Sequence, residues 1–188
     1  MRNLIRIVRC NMKSNEKKVC CFTGHRPAGL PFGNDEQSPD AERLKRALRI
    51  ELIAKIEDGC KTFITGCAQG ADIICGELVL KLKKEKYPDI HLICAVPYRG
   101  QADRWSSEWR ERYEALLQAA DEIVEVCPHY TTSCFHQRNR YMVDHSTDMI
   151  AVYNGEEKGG TACTISYALE KGKRVVIFNV QRWVIYRK

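Results

Sequence analysis

The stretch TFITGCAQGADIICGELVLKLKK, Thr62–Lys84, sets the fold class. A short apolar run stops at a turn of small residues, Gly66 to Asp72, and an amphipathic run follows at once. Apolar residues without alternation suit a strand buried on both faces, and the longer periodic run suits a helix packed against it.

Outward from this unit the same grammar recurs. Upstream, Lys18 to Thr23 reads as a strand ended by Thr23-Gly24-His25-Arg26-Pro27, and Ser38 with Pro39 opens a helix whose apolar face is Leu44, Leu48, Leu52 and Ile56. Gly59 ends that helix. Downstream, strands are predicted at Ile90 to Val96, Glu122 to Val126, Met149 to Tyr153 and Arg174 to Phe178. Helices are predicted at Asp103 to Ala120, Phe135 to His145 and Thr161 to Glu170, and the tail around Trp183 and Ile185 can add an edge strand. Strands alternating with helices of this length pair in parallel through right-handed crossovers. The expected fold is α/β, a Rossmann-like doubly wound, mainly parallel sheet with helices on both faces. Its expected organisation is an extension over 1–17, one domain over 18–179 and a tail over 180–188.

Composition sets bounds on function. A chain of 188 residues with 44% hydrophobic and 29% charged residues suits one packed domain and neither disorder nor a membrane partner. The apolar patch before Lys18 is broken by Arg6 and Arg9 and does not read as an export signal, so a cytoplasmic setting is expected. The net charge of +6 is spread among acids rather than gathered in a stripe, which ranks nucleic acid below a small phosphate-bearing ligand. Ten cysteines at irregular spacing, with no C-x-x-C pair, fit buried thiols in a reducing compartment. Cys127, His129, Cys134 and His136 lie within ten residues, but their C-x-H spacing suits one zinc ion poorly, and no metal is assigned.

Three glycine-containing turns follow strands and are expected on one rim of the sheet: Gly24-His25-Arg26, Gly66 through Gly70 to Asp72, and Gly159-Gly160-Thr161. Small residues there let backbone N–H groups approach an anion at a helix N-terminus. His25 serves as a proton carrier or a hydrogen-bond donor, and Arg26 offers a planar fork for phosphate. Asp72 either caps its helix or meets a ribose hydroxyl. Arg138, early in its helix, joins the Gly159-Gly160-Thr161 turn around the phosphate. Trp105, Trp109 and Tyr113 recur at four-residue steps, which reads as a core or subunit-contact stripe, with Trp105 or Trp109 marking a homodimer.

Taken in order, Thr23 to Pro27, Thr65 to Asp72, Pro97-Tyr98 with Gln101 ahead of a tryptophan-bearing helix, Arg138 to Met142 and Gly159-Gly160-Thr161 resemble the YpsA-like branch of the SLOG superfamily. That superfamily includes the LOG phosphoribohydrolases and the DNA-processing protein DprA. The resemblance covers about Lys18 to Asn179. It implies a Rossmann-like fold and a pocket for a nucleotide or nucleotide-derived ligand such as NAD, ADP-ribose or a nucleoside monophosphate, held by a binding or sensing module. It assigns no certain cofactor and no catalytic residue. His136-Gln137-Arg138 resembles the LOG motif whose arginine assists cleavage between base and ribose phosphate. The companion motif departs, because Ala162, Cys163 and Thr164 stand where LOG enzymes carry acidic residues. The alternatives are a LOG-like N-glycosidase relying on Asp72, Glu156 or Glu157, and a DprA-like binder of DNA.

Overall fold

In the computed structural model, which describes residues 17–188, strand and helix alternate as far as the sixth strand, and a seventh strand follows it directly. The strands are β1 (Lys18–Gly24), β2 (Cys60–Thr65), β3 (His91–Val96), β4 (Glu122–Glu125), β5 (Asp148–Tyr153), β6 (Arg174–Asn179) and β7 (Val184–Arg187). The helices are α1 (Pro39–Glu57), α2 (Ala71–Glu85), α3 (Ser107–Ala119), α4 (Cys134–Asp144) and α5 (Gly160–Glu170). Apart from residue 17, the expected N-terminal extension lies outside the described residues.

All seven strands join one sheet in the order β4-β3-β2-β1-β5-β6-β7, parallel except for β7, which returns antiparallel along β6. The predicted α/β, Rossmann-like sheet is therefore the observed one. The tail supplies the edge strand, pairing Phe178 with Ile185.

The strands are apolar throughout because alternate side chains feed two cores. Cys20 and Phe22 of β1, Phe63 of β2 and Ile150 of β5 face the helices α1, α2 and α3, where Leu44, Leu48, Leu52, Ile74, Leu82 and Leu116 pack. Cys21, Ile64, Met149 and Ala151 face α4 and α5, against Met142, Val143, Ile165 and Ala168. Each such leucine or isoleucine, fully buried, contributes about 1.5–3 kcal/mol. The start of α1 follows its sequence signals: the Ser38 hydroxyl accepts from the Ala41 amide at 3.3 Å, with Pro39 in the first turn.

One helix boundary departs from expectation in a way that matters. α3 begins at Ser107, because Ser106 takes an extended conformation (φ −61°, ψ 159°) as its N-cap. Residues Tyr98 to Trp105 instead make successive turns, in which the amides of Gln101, Asp103 and Trp105 donate hydrogen bonds to the carbonyls of Tyr98, Gly100 and Ala102. Trp109 and Tyr113 are buried in the core, and Trp105, off the helix and partly buried, packs edge-on to Tyr113 at 5.4 Å.

The sheet order places β1 between β2 and β5. The chain builds outward from β1 through β4, then returns to lay β5 and β6 on the other side. At such a reversal the loops beyond the strand carboxyl ends diverge and leave a crevice. Among the described residues no helix is long and apolar enough to cross a membrane.

Candidate functional site

The crevice between the ends of β1 and β5 is a cleft of about 600 Å³. Seven of the ten residues singled out in the sequence line it: Gly24, His25, Arg26, Asp72, Arg138, Gly160 and Thr161. Gly66, Gly70 and Gly159 do not line it. Asn139, Asn154 and Glu156 join the lining from turns and a helix face that carry no distinctive spacing.

The turn after β2 is bonded inward. The Ala71 amide donates to the His25 carbonyl at 3.1 Å, Ile73 to Ala68 at 3.2 Å, and Ala68 to the Asp72 carboxylate at 3.4 Å. The Thr65 hydroxyl donates to the Asp72 carbonyl at 2.8 Å and accepts from the Cys67 amide at 3.2 Å. Cys67 is held at φ +55°, a left-handed conformation that costs a side-chain-bearing residue about 1–2 kcal/mol. Gly70, at φ +88°, lies so close to the preceding turn that a Cβ would stand 2.6 Å from the His25 carbonyl oxygen. These bonds take up the Cys67, Ala68 and Ala71 amides of the turn, and Gly66 and Gly70 serve close packing.

Arg138 is the clasp of that arrangement. It enters from α4 and is 5% exposed at the side chain. One terminal nitrogen donates to the Gly66 carbonyl and stands 3.4 Å from the Asp72 carboxylate. A Cβ on Gly66 would fall 1.7 Å from that nitrogen, so the glycine is what admits the guanidinium. Burial holds the Asp72 carboxyl above its ordinary value, with Arg138, the Ala68 amide and Arg26 pulling the other way. The Nε of Arg138 is buried and has no hydrogen-bond partner among the described residues.

The turn after β5 differs. Gly159, at φ +113°, precedes α5 with no side-chain cap, and the first bond of the helix runs from the Cys163 amide to the Gly159 carbonyl at 3.0 Å. The amides of Gly160, Thr161 and Ala162 therefore lie ahead of the helical ladder, where orphan donors and the positive end of the helix dipole gather. A Cβ on Gly160 would meet no atom within 4 Å.

His25 stands opposite, with its ring stacked on Tyr153 at 5.7 Å between centroids. Burial lowers its pKa below 6.5, against the pull of Glu156 and Asn154, so the ring is neutral near pH 7. Its Nε2 is buried without a partner. Arg26 is exposed and lies 5.8 Å from the Phe135 ring centre, at the rim.

Beyond that rim a second hollow of about 610 Å³ shares Arg26, Ala68 and Phe135 with the first. Its wall is aromatic. Tyr98 meets Tyr130 edge-on at 5.4 Å and Phe135 at 6.2 Å, and Trp105 comes from the turn before α3. Little in the residue order signals it, since these side chains converge from separate segments. Tyr98 and Gln101 belong to the Pro97-Tyr98-x-x-Gln101 motif and Trp105 to the aromatic stripe, but no spacing brings them together with Tyr130 and Phe135.

Among the described residues no three His, Cys, Asp or Glu side chains come together in a group that could hold a metal ion. The Cys127 thiol instead faces the Gln137 amide oxygen at 3.5 Å. The nine described cysteines are free thiols, eight of them buried and Cys163 exposed.

A family model described as the YspA SLOG family matches residues 20–181. The chain is also 31% identical over 159 residues to a UPF0398 protein of Bacillus thuringiensis (strain Al Hakam), covering 83% of this chain and 85% of that protein. A UPF0398 protein of Bacillus cereus (strain Q1) matches with the same identity and coverage.

Proposed function

The chain belongs to the YspA SLOG family, and on that premise we propose that it is a binding module for a nucleotide or nucleotide-derived ligand. Candidates are a nucleoside monophosphate, NAD or ADP-ribose, with a phosphate seated on the first turn of α5. One observation carries the reading. The uncapped start of α5 opens into a cleft that His25 and Arg138 also line, and each of these carries a buried nitrogen without a partner, Nε2 and Nε. Buried polar groups are normally paired, and an anion with several acceptor oxygens at the helix N-terminus is the partner this reading supplies. Arg26, free at the rim, supplies the charge that draws such an anion in.

The test is thermal unfolding and calorimetric titration against inorganic phosphate, AMP, NAD, ADP-ribose and single-stranded DNA. A ligand at a hundred times its dissociation constant stabilises by about 2.7 kcal/mol. The reading expects stabilisation by a nucleotide and its loss in Arg26→Ala. A folded protein that no nucleotide stabilises refutes it. Steeply salt-dependent stabilisation by single-stranded DNA alone would favour the nucleic-acid reading instead.

A second reading has its own support in the cleft. Asp72 and Glu156 both line it near Arg138, and cleavage of an N-glycosidic bond needs a carboxylate to stabilise the developing cation or activate water. It expects free base to accumulate when AMP is incubated with the protein and to stop accumulating in Glu156→Gln. Intact AMP after long incubation rules it out.

A further inference from the structure

We infer that the aromatic hollow beside the cleft is the base subsite of the same ligand, and that Gln101 selects a base carrying an amino group. The inference rests on the phosphate reading above and adds the part of the ligand that reading leaves open.

The geometry has three parts. The hollow adjoins the cleft through Arg26, Ala68 and Phe135, so one molecule can place its phosphate at α5 and reach past Arg26. Its walls carry Tyr98, Tyr130, Trp105 and Phe135, and Tyr130 is 61% exposed. Trp105 is anchored edge-on to Tyr113 at 5.4 Å, while Tyr98 and the exposed Tyr130 stand at the mouth of the hollow, where aromatic rings suit a flat base; base–aromatic stacking is worth about 1–3 kcal/mol.

The third part is a buried acceptor. Gln101 lines the hollow and is only 5% exposed. Its Nε2 donates to the Cys67 carbonyl at 3.0 Å, which fixes the orientation of the amide, since the reverse would set two oxygens against each other. Oε1 is then left buried with no partner among the described residues. The carbonyl that fixes it belongs to the residue held at φ +55°, so a strained backbone and a buried amide together present one acceptor. An acceptor held this way takes an N–H donor; the exocyclic amino group of adenine supplies one at the edge of a stacked ring. Because Oε1 is already buried and unpaired in the free protein, a base with that donor gains a hydrogen bond there and a base without it gains nothing, which is the source of the discrimination.

The test titrates the full chain with AMP, with purine riboside 5′-monophosphate, which lacks only the 6-amino group, and with ribose 5-phosphate, which lacks the base. We expect AMP to bind at least roughly tenfold more tightly than ribose 5-phosphate, and roughly tenfold more tightly than purine riboside monophosphate. Gln101→Met should bring the two purine nucleotides to equal affinity. Tyr130→Ala, at an exposed position, should narrow the gap between AMP and ribose 5-phosphate. If Gln101→Met does not fold, the ligand comparison in the unaltered protein decides alone.

Ribose 5-phosphate binding as tightly as AMP would overturn the base subsite and leave the phosphate site standing. Equal affinity for AMP and purine riboside monophosphate would overturn the role of Gln101. Binding of neither AMP nor ribose 5-phosphate would remove the phosphate reading and the base subsite with it.

Discussion

The turn between β2 and α2 and the turn between β5 and α5 face each other across one cleft and distribute their polar groups in opposite ways. The first turns inward: its amides reach the His25 and Ala68 carbonyls, its carboxylate meets Arg138, and its glycines are packed against atoms. The second sets its leading amides ahead of the α5 ladder, with open space around Gly160. A glycine-rich turn at a helix start can thus be a hinge of packing or a cradle for an anion. What separates the two is whether the protein's own groups have taken the donors. Here the closed turn acts as the rigid wall of the site, and the uncapped turn supplies its chemistry.

The sharpest way to break this comparison is at the clasp. Arg138→Ala strands the 6%-exposed Asp72 side chain without its partner, and loss of one member of a buried pair costs about 3–5 kcal/mol. Urea unfolding should show a loss near the lower end of that range, because burial already favours the neutral carboxyl. A loss below about 1 kcal/mol would mean the closed turn does not depend on its clasp. Gly66→Ala should cost somewhat less, about 1–3 kcal/mol, since its Cβ would displace the guanidinium 1.7 Å away.

Gly160→Ala is the counterpart across the cleft. With no atom within 4 Å of the added carbon, thermal unfolding should shift by less than about 1 kcal/mol, toward greater stability. A destabilisation comparable to Gly66→Ala would show that both turns are packed alike.

The smallest effect concerns pH. The His25 pKa is lowered in the folded protein, so below the ordinary value of 6.5 the unfolded chain takes up the proton more readily. Stability should therefore fall as pH drops from about 6.5 through the folded pKa, and His25→Gln should flatten that part of the profile. The change should be a few tenths of a kcal/mol, since the ring is only half-buried. An identical slope in His25→Gln would place the titration elsewhere.

Much of the fold was legible because its strands are buried on both faces and so read as unbroken apolar runs such as Phe63-Ile64 and Met149 to Val152. The rim turns were legible for the same reason: each follows a recognisable strand. Which turn is closed was not legible, because it depends on Arg138 reaching across 72 positions to the Gly66 carbonyl. The aromatic hollow was hidden in another way. Trp105 shares the four-residue spacing of Trp109 and Tyr113, and only the cap at Ser106 takes it off the helix, where it lines the hollow with Tyr98 while packing on Tyr113. Spacing cannot report a helix that starts one turn late.

The central claim, that α5 receives the phosphate, is tested most directly by titrating AMP into the unaltered protein and into Gly160→Asp by calorimetry. A carboxylate in the first turn of a helix favours the fold by about 0.3–1 kcal/mol while placing negative charge where the phosphate would sit. The account predicts a variant at least as stable as the parent, with AMP affinity reduced by roughly tenfold or more. A stable variant that binds AMP as tightly as the parent would contradict it.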